Sequence, residues 1–144
     1  MRKGRRLAFD YGDVRIGVAV SDQEAILASA VTTLQAQDEH LWVKILDLID
    51  EYQPIEIYVG NPVHLSGSSS ESSAKAKDFA QEITTRFKTS TVLIDERMST
   101  VSAQGQLRTS GKNSREMKEM IDQVAAVAIL EQGMEIERHR DRLQ

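Results

Sequence analysis

A single change in hydrophobic period constrains this chain more than any other feature. Up to Leu34 the apolar residues come in short, alternating or β-branched runs; from Leu41 onward helical spacing enters. In Arg6 to Tyr11, Leu7 and Phe9 fall on one side of a strand, with Ala8 and Asp10 on the other. Gly12-Asp13 is turn chemistry, and Arg15 to Ser21 (RIGVAVS) is a second β-branched run, so the pair predicts a hairpin. Ala30 to Leu34 (AVTTL) predicts a third strand. Leu41, Ile45, Leu48, Ile49 and Tyr52 then share one helix face, which Pro54 ends. Ile55 to Gly60 (IEIYVG) reads as a buried strand closed by Asn61-Pro62, and Leu65 to Ser73 as a polar loop. Ala76, Phe79, Ala80, Ile83 and Phe87 make a second helical face, and Thr91 to Ile94 another strand ending in Asp95-Glu96-Arg97. Ser99 or Thr100 caps a third helix towards Leu107, Thr109 to Ser114 breaks it, and a last helix runs from about Glu116 to Gln132. The order β-β-β-α-β-α-β-α-α predicts an α/β fold. Its mixed five-stranded sheet starts as an antiparallel meander, continues in alternating β/α units and carries helices on both faces.

Composition narrows the function classes. With 144 residues the chain is expected to form one domain, 1–144, with one real core. It has no cysteine and three histidines, which excludes a thiol nucleophile, a disulfide scaffold and a cysteine zinc site. No apolar run is long enough for a membrane helix, and the basic start MRKGRR leads into no signal-type stretch, so a cytoplasmic protein with no membrane partner is expected. The net charge of −4 argues against nucleic-acid binding taken alone. Local clusters qualify that: Arg2, Lys3, Arg5 and Arg6 at the start; Arg108, Lys112, Arg115 and Lys118 later; Arg138, Arg140 and Arg142 in the tail. They are either solvated faces or one side of a basic groove.

Three acidic positions run against propensity. Asp10 lies inside a strand, Asp95 and Glu96 end an aliphatic one, and Asp122 sits between Ile121 and Val124 in the most apolar helix. A carboxylate among core residues needs compensation. Local bonding to a turn, a helix cap or solvent supplies it at each site taken singly. Converging acids without histidine or cysteine favour instead a hard cation, Mg²⁺ or Mn²⁺, of the kind that assists phosphodiester displacement.

At this point the residues resemble a family. Asp10-Tyr-Gly12-Asp-Val-Arg15-Ile-Gly17-Val-Ala19, Val59-Gly60-Asn61-Pro62, Asp95-Glu96-Arg97-Met98-Ser99-Thr100 and Asp122-Gln-Val-Ala-Ala-Val-Ala-Ile-Leu130 match, in order, the motifs of the YqgF/RuvX family of Holliday-junction-resolvase-like pre-16S rRNA nucleases. The resemblance covers Leu7 to Glu131 and implies an RNase H-like fold and metal-dependent phosphodiester cleavage. It implies Asp10, Glu96 and Asp122 as the catalytic and metal-holding acids. Strand alternation sends Asp95 and Glu96 to opposite faces, and Asp95 stays the competitor for Glu96. Related resolvases carry an acid just after the strand that here ends in Gly60-Asn61-Pro62, where this chain offers Asn61 and His64.

Supporting roles are expected for four basic residues. Arg15 and Arg97 either fork onto substrate phosphates or neutralise the neighbouring carboxylates, and Lys112 and Lys118 guide a nucleic-acid backbone. Trp42 reads as packing, and Tyr11 as the better candidate for base stacking. The expected partner is nucleic acid: an rRNA precursor ahead of branched DNA, bound by a monomer or a homodimer. Two rivals stand. Asp10-x-Gly12-x-x-x-x-Gly17 also resembles the first phosphate motif of actin-like kinases, but those need two such domains and this chain has one block. The other rival is a binding module on the same fold that does not cut.

Overall fold

The computed structural model describes residues 1–62, 71–96 and 114–143. Five strands form one sheet, β1 (Arg6–Tyr11), β2 (Arg15–Ser21), β3 (Ala28–Gln35), β4 (Glu56–Asn61) and β5 (Thr91–Asp95), in the order β3-β2-β1-β4-β5. The first three are antiparallel, and β4 and β5 run parallel to β1. Helices α1 (Leu41–Tyr52) and α2 (Glu71–Phe87) cover one face, and α3 (Arg115–Leu143) the other. This is the mixed sheet expected from the change of period. The expected third helix between Ser99 and Leu107 lies outside the described residues.

Alternation along the strands divides the core in two. Leu7, Phe9, Ile16, Val18, Ile57 and Val59 pack with Ile45 of α1 and with Phe79 and Ile83 of α2. Ala8, Ala19 and Tyr58 point the other way, onto Ala126, Ile129, Leu130 and Met134 of α3. The small residues on that side let α3 lie close to the sheet. Gly17 is the extreme case: a Cβ there would collide with the backbone carbonyl of Asp122. The α1 helix ends at Tyr52, where Gln53 turns left-handed (φ 47°) and donates its N–H to the Ile49 carbonyl, one residue before Pro54.

The largest differences from the sequence expectation at element ends fall at two helices, beside a longer β3 (Ala28–Gln35 against Ala30 to Leu34). The α2 helix begins at Glu71, inside the Ser-rich stretch expected to be loop. Ser73 is buried there and donates its hydroxyl to Asn61 Oδ1 at 2.6 Å, which ties the first turn of α2 to the end of β4. The α3 helix continues to Leu143, well beyond Gln132. Its extension is held by a tertiary ion network. Glu137 is buried and bonds Arg6 at 2.7 Å and Arg2 at 2.8 Å, and Arg2 also reaches Glu56 at 2.9 Å. That network accounts for much of the N-terminal basic cluster, and Arg138 and Arg142 pair with Glu135 in the tail. These arginines are structural neutralisers and do not form an open basic groove. No described helix is long and apolar enough to cross a membrane.

Candidate active site

The three acids come from three elements that meet at the carboxyl ends of β1, β4 and β5. Asp10 is the next-to-last residue of β1, opposite Gly17 in the β1–β2 ladder, and lies on the α3 side of the sheet. Glu96 directly follows β5 and reaches across β4. Gly60 leaves room for that reach, since a Cβ at this position would fall 2.8 Å from the Glu96 carboxyl carbon and would strike Ile129. Asp122 comes from the second turn of α3, whose register is fixed by Thr33. The Thr33 hydroxyl donates to the Glu119 carbonyl at 2.9 Å and accepts from the Gln123 amide at 3.1 Å.

Asp10 and Glu96 are joined by a hydrogen bond. Burial, and then the Glu96 charge, push the Asp10 carboxyl well above the usual carboxylate range. Burial raises Glu96 too, while the bond from Asp10 opposes the rise. Both carboxyls are thus raised, and their contact favours a proton between them. Asp95 is the residue paired with Asn61 in the β4–β5 ladder, and its charge contributes to the rise of Glu96. Glu96 is already past the strand end, so strict alternation does not govern where it points.

Asp122 stands slightly apart. Burial raises its carboxyl, and Arg15, whose Nε donates to Asp122 Oδ2 at 2.6 Å, opposes the rise. Its charge still reaches Asp10. Among the described residues, no three histidine or acidic side chains meet closely enough to enclose a metal ion. The structure thus brings together one tight carboxyl pair and a third acid held by an arginine. Of the two readings of Arg15, the observed contact is the neutralising one, although its terminal nitrogens carry no bond among the described residues. Lys118 is exposed on α3, one turn before Asp122. Arg97, Lys112 and His64 lie outside the described residues. Sequence reasoning missed Gly60 and Ser73. Only the Gly-Asn-Pro punctuation hinted at the first, and nothing in the Ser-rich run singled out the second.

A mixed sheet in this order, with acids at the carboxyl ends of its parallel strands, defines an RNase H-like α/β protein. The Thermus thermophilus RuvC structure in complex with Holliday junction substrate superposes with a TM-score of 0.60 over 93% of this chain and 96% of that one, at 13% identity. A second Thermus thermophilus RuvC structure gives 0.56 at 11% identity, covering 94% and 96%. Residues 4–136 match the family model RuvX, described as Holliday junction resolvase, and the chain belongs to that family. A Streptomyces coelicolor relative named "Putative pre-16S rRNA nuclease" is 46% identical over 140 residues, 96% of this chain and 84% of the relative. A Clavibacter sepedonicus relative of the same name is 44% identical over 140 residues, covering 96% and 87%.

Proposed function

We propose that this protein is a divalent-metal-dependent nuclease that hydrolyses phosphodiester bonds at the 5′ end of pre-16S rRNA in the cytoplasm. Family membership and the relatives' names support the nuclease class. The observation that carries the site is the half-buried Asp10–Glu96 carboxyl pair at the carboxyl ends of the parallel strands, within electrostatic reach of Asp122. Two half-buried acids in contact favour a shared proton or a cation between them, and their donor atoms are all oxygen. That fits Mg²⁺ or Mn²⁺, which takes one or two carboxylates and completes its shell with water and phosphate. Asp10 and Glu96 would hold the ion, with Asp122 as the third acid. When bound, it supplies charge stabilisation for the attacking and leaving oxygens of the displacement.

The remaining residues position and balance. Arg15 keeps Asp122 from repelling the pair and presents its terminal nitrogens to a phosphate on the same side. Lys118, with Arg97 and Lys112, contributes positive charge along the substrate backbone. Asn61, placed where related resolvases carry an acid, is fixed by Ser73, so this chain works with three acids.

The test is cleavage with Mn²⁺ of a pre-16S 5′-end fragment, a DNA four-way junction and a single-stranded RNA, wild type beside Asp10→Asn. Cutting of the precursor by wild type alone is the expected outcome. Preference for the junction, which the family model's description favours as the second reading, would reassign the substrate. Equal cutting by Asp10→Asn would overturn the site. Binding without cutting would leave a module on a nuclease fold.

A further inference from the structure

A cleft of about 470 Å³, within the size range of small-ligand sites, opens on the opposite face of β1 from the acids. Tyr11, Trp42 and Phe79 line it, with Lys75, Asp78 and Glu82 at its rim. We propose that this cleft binds an unpaired nucleobase of the substrate strand, guanine ahead of the others, from a nucleotide neighbouring the scissile phosphate. The placement beside a scissile phosphate rests on the nuclease reading above; base binding itself does not.

The first argument is the wall. Phe79 sits between the other two rings, 4.7 Å from Tyr11 and 5.6 Å from Trp42, at tilts of 33° and 35°. Arg86 lies 4.5 Å from the Trp42 ring. The aromatic residues are held by one another, so a base that stacks on them meets a preformed surface. The second argument is charge. Asp78 is exposed and has no ion pair among the described residues, and Glu82 is already bonded to Arg86 at 3.2 Å. Carboxylates at the rim repel a phosphate and accept N–H groups. Guanine presents two adjacent N–H donors, N1 and N2, to the two oxygens of one carboxylate. Uracil, adenine and cytosine each set a donor beside an acceptor that a carboxylate repels.

The third argument is continuity. Asp10 and Tyr11 are consecutive on β1 and face opposite sides of the sheet end. A small hollow of about 40 Å³ against Tyr11, Gly12, Asp13, Ser72 and Lys75 adjoins the cleft at the turn that leads from β1 into β2. Lys75 stands at both concavities, paired with Asp13 at 3.0 Å and Glu71 at 3.4 Å, so the rim between them carries no net positive charge and favours a base over a phosphate. A strand cut at the acids passes over this turn and reaches the cleft with its next base.

Trp42 is the single tryptophan, so its fluorescence reports on the cleft in the intact chain. The measurement is made in EDTA, so that binding is read without divalent cations. The probes are a uridine pentamer, the same pentamer with a central guanine or a central inosine, and inorganic phosphate. The expected result is quenching by the guanine pentamer about tenfold tighter than by the other two, and none by phosphate. Asp78→Asn, an exposed change, removes the guanine preference and leaves the affinity for the uridine pentamer unchanged. Tyr11→Ala weakens binding of every pentamer by about tenfold. Equal affinity for guanine and uridine pentamers, quenching by phosphate, a preference that survives Asp78→Asn, or no quenching by any probe overturns the proposal. Guanine-dependent quenching without any Mn²⁺ cleavage would keep the base site and sink the nuclease reading. Cleavage without quenching would do the reverse.

Discussion

Asp10 is the residue on which the chemistry and the stability of this protein pull in opposite directions. Its carboxyl is raised by burial and by Glu96, so the fold prefers it protonated. Below the ordinary aspartate pKa both folded and unfolded chains carry the proton and nothing is lost. As pH rises past that value the unfolded chain ionises first, and the metal-free fold loses stability until Asp10 ionises as well. Asp10→Asn is therefore expected to raise the metal-free melting temperature at pH 7, with the gain vanishing below about pH 4, while Mn²⁺-dependent cleavage falls to background. Thermal scans across pH and the cleavage assay check the two halves. Asp122→Asn should gain less, because Arg15 already balances that charge. Glu137 shows the opposite sign. Burial raises it, but the hydrogen bonds and charges of Arg2 and Arg6 outweigh burial and hold it at about 2. Its contribution is complete above the ordinary glutamate pKa and is lost as pH falls towards 2. Glu137→Gln should cost about 3 kcal/mol at pH 7, because it leaves Arg6 buried without its partner. Urea unfolding at pH 7 and pH 3 measures it, and a cost that does not shrink at pH 3 would contradict this account.

At the scale of elements, the site depends on how closely α3 approaches β2. Gly17 lets the Asp122 backbone rest against the strand, and Gly60 lets Glu96 cross β4. Gly17→Ala should destabilise by about 1–3 kcal/mol, the usual cost of overpacking. It should also move Asp122 away from Asp10, so cleavage measured well below the melting temperature falls further than stability does. A variant that loses stability and keeps its full rate would show that the position of Asp122 does not matter. The edges of the elements explain where sequence reading stopped short. The last helix reads as ending at Gln132 because its apolar composition ends there. Its continuation rests on Glu137 meeting Arg2 and Arg6, partners more than 130 residues away in the chain. Glu71 to Ser73 reads as loop because serine favours turns, and Ser73 is helical because Asn61 holds its hydroxyl.

At the scale of the molecule, two candidate sites lie on two faces of one sheet end. The acids lie on the α3 side, and the aromatic cleft lies on the side of α1 and α2. On the proposed reading, the acid pair would hold a cation in the folded chain and not in the unfolded one. Mn²⁺ should therefore raise the melting temperature of wild type, by the equivalent of about 2.7 kcal/mol at a hundredfold excess over Kd. It should leave Asp10→Asn nearly unmoved. Equal shifts in both proteins would place the cation elsewhere. The net charge of −4 belongs to the same picture, since many of the arginines that suggested a groove are paired internally.

By itself the sequence determined the order of the described elements, the two faces of the sheet and the elements that carry Asp10, Glu96 and Asp122. Those follow from period and propensity, which are local: a period of two or of 3.6 shows within a few residues, and an acid in a strand or an apolar helix stands out against its neighbours. Only the tertiary structure decided that Glu96 rather than Asp95 meets Asp10, that Arg15 holds Asp122 and that Trp42 lines a cleft while packing on Phe79. It also decided that the terminal arginines neutralise buried acids. Each of these is a contact between segments far apart in the chain, and its energy comes from burial and charge pairing that exist only once the sheet has brought those segments together.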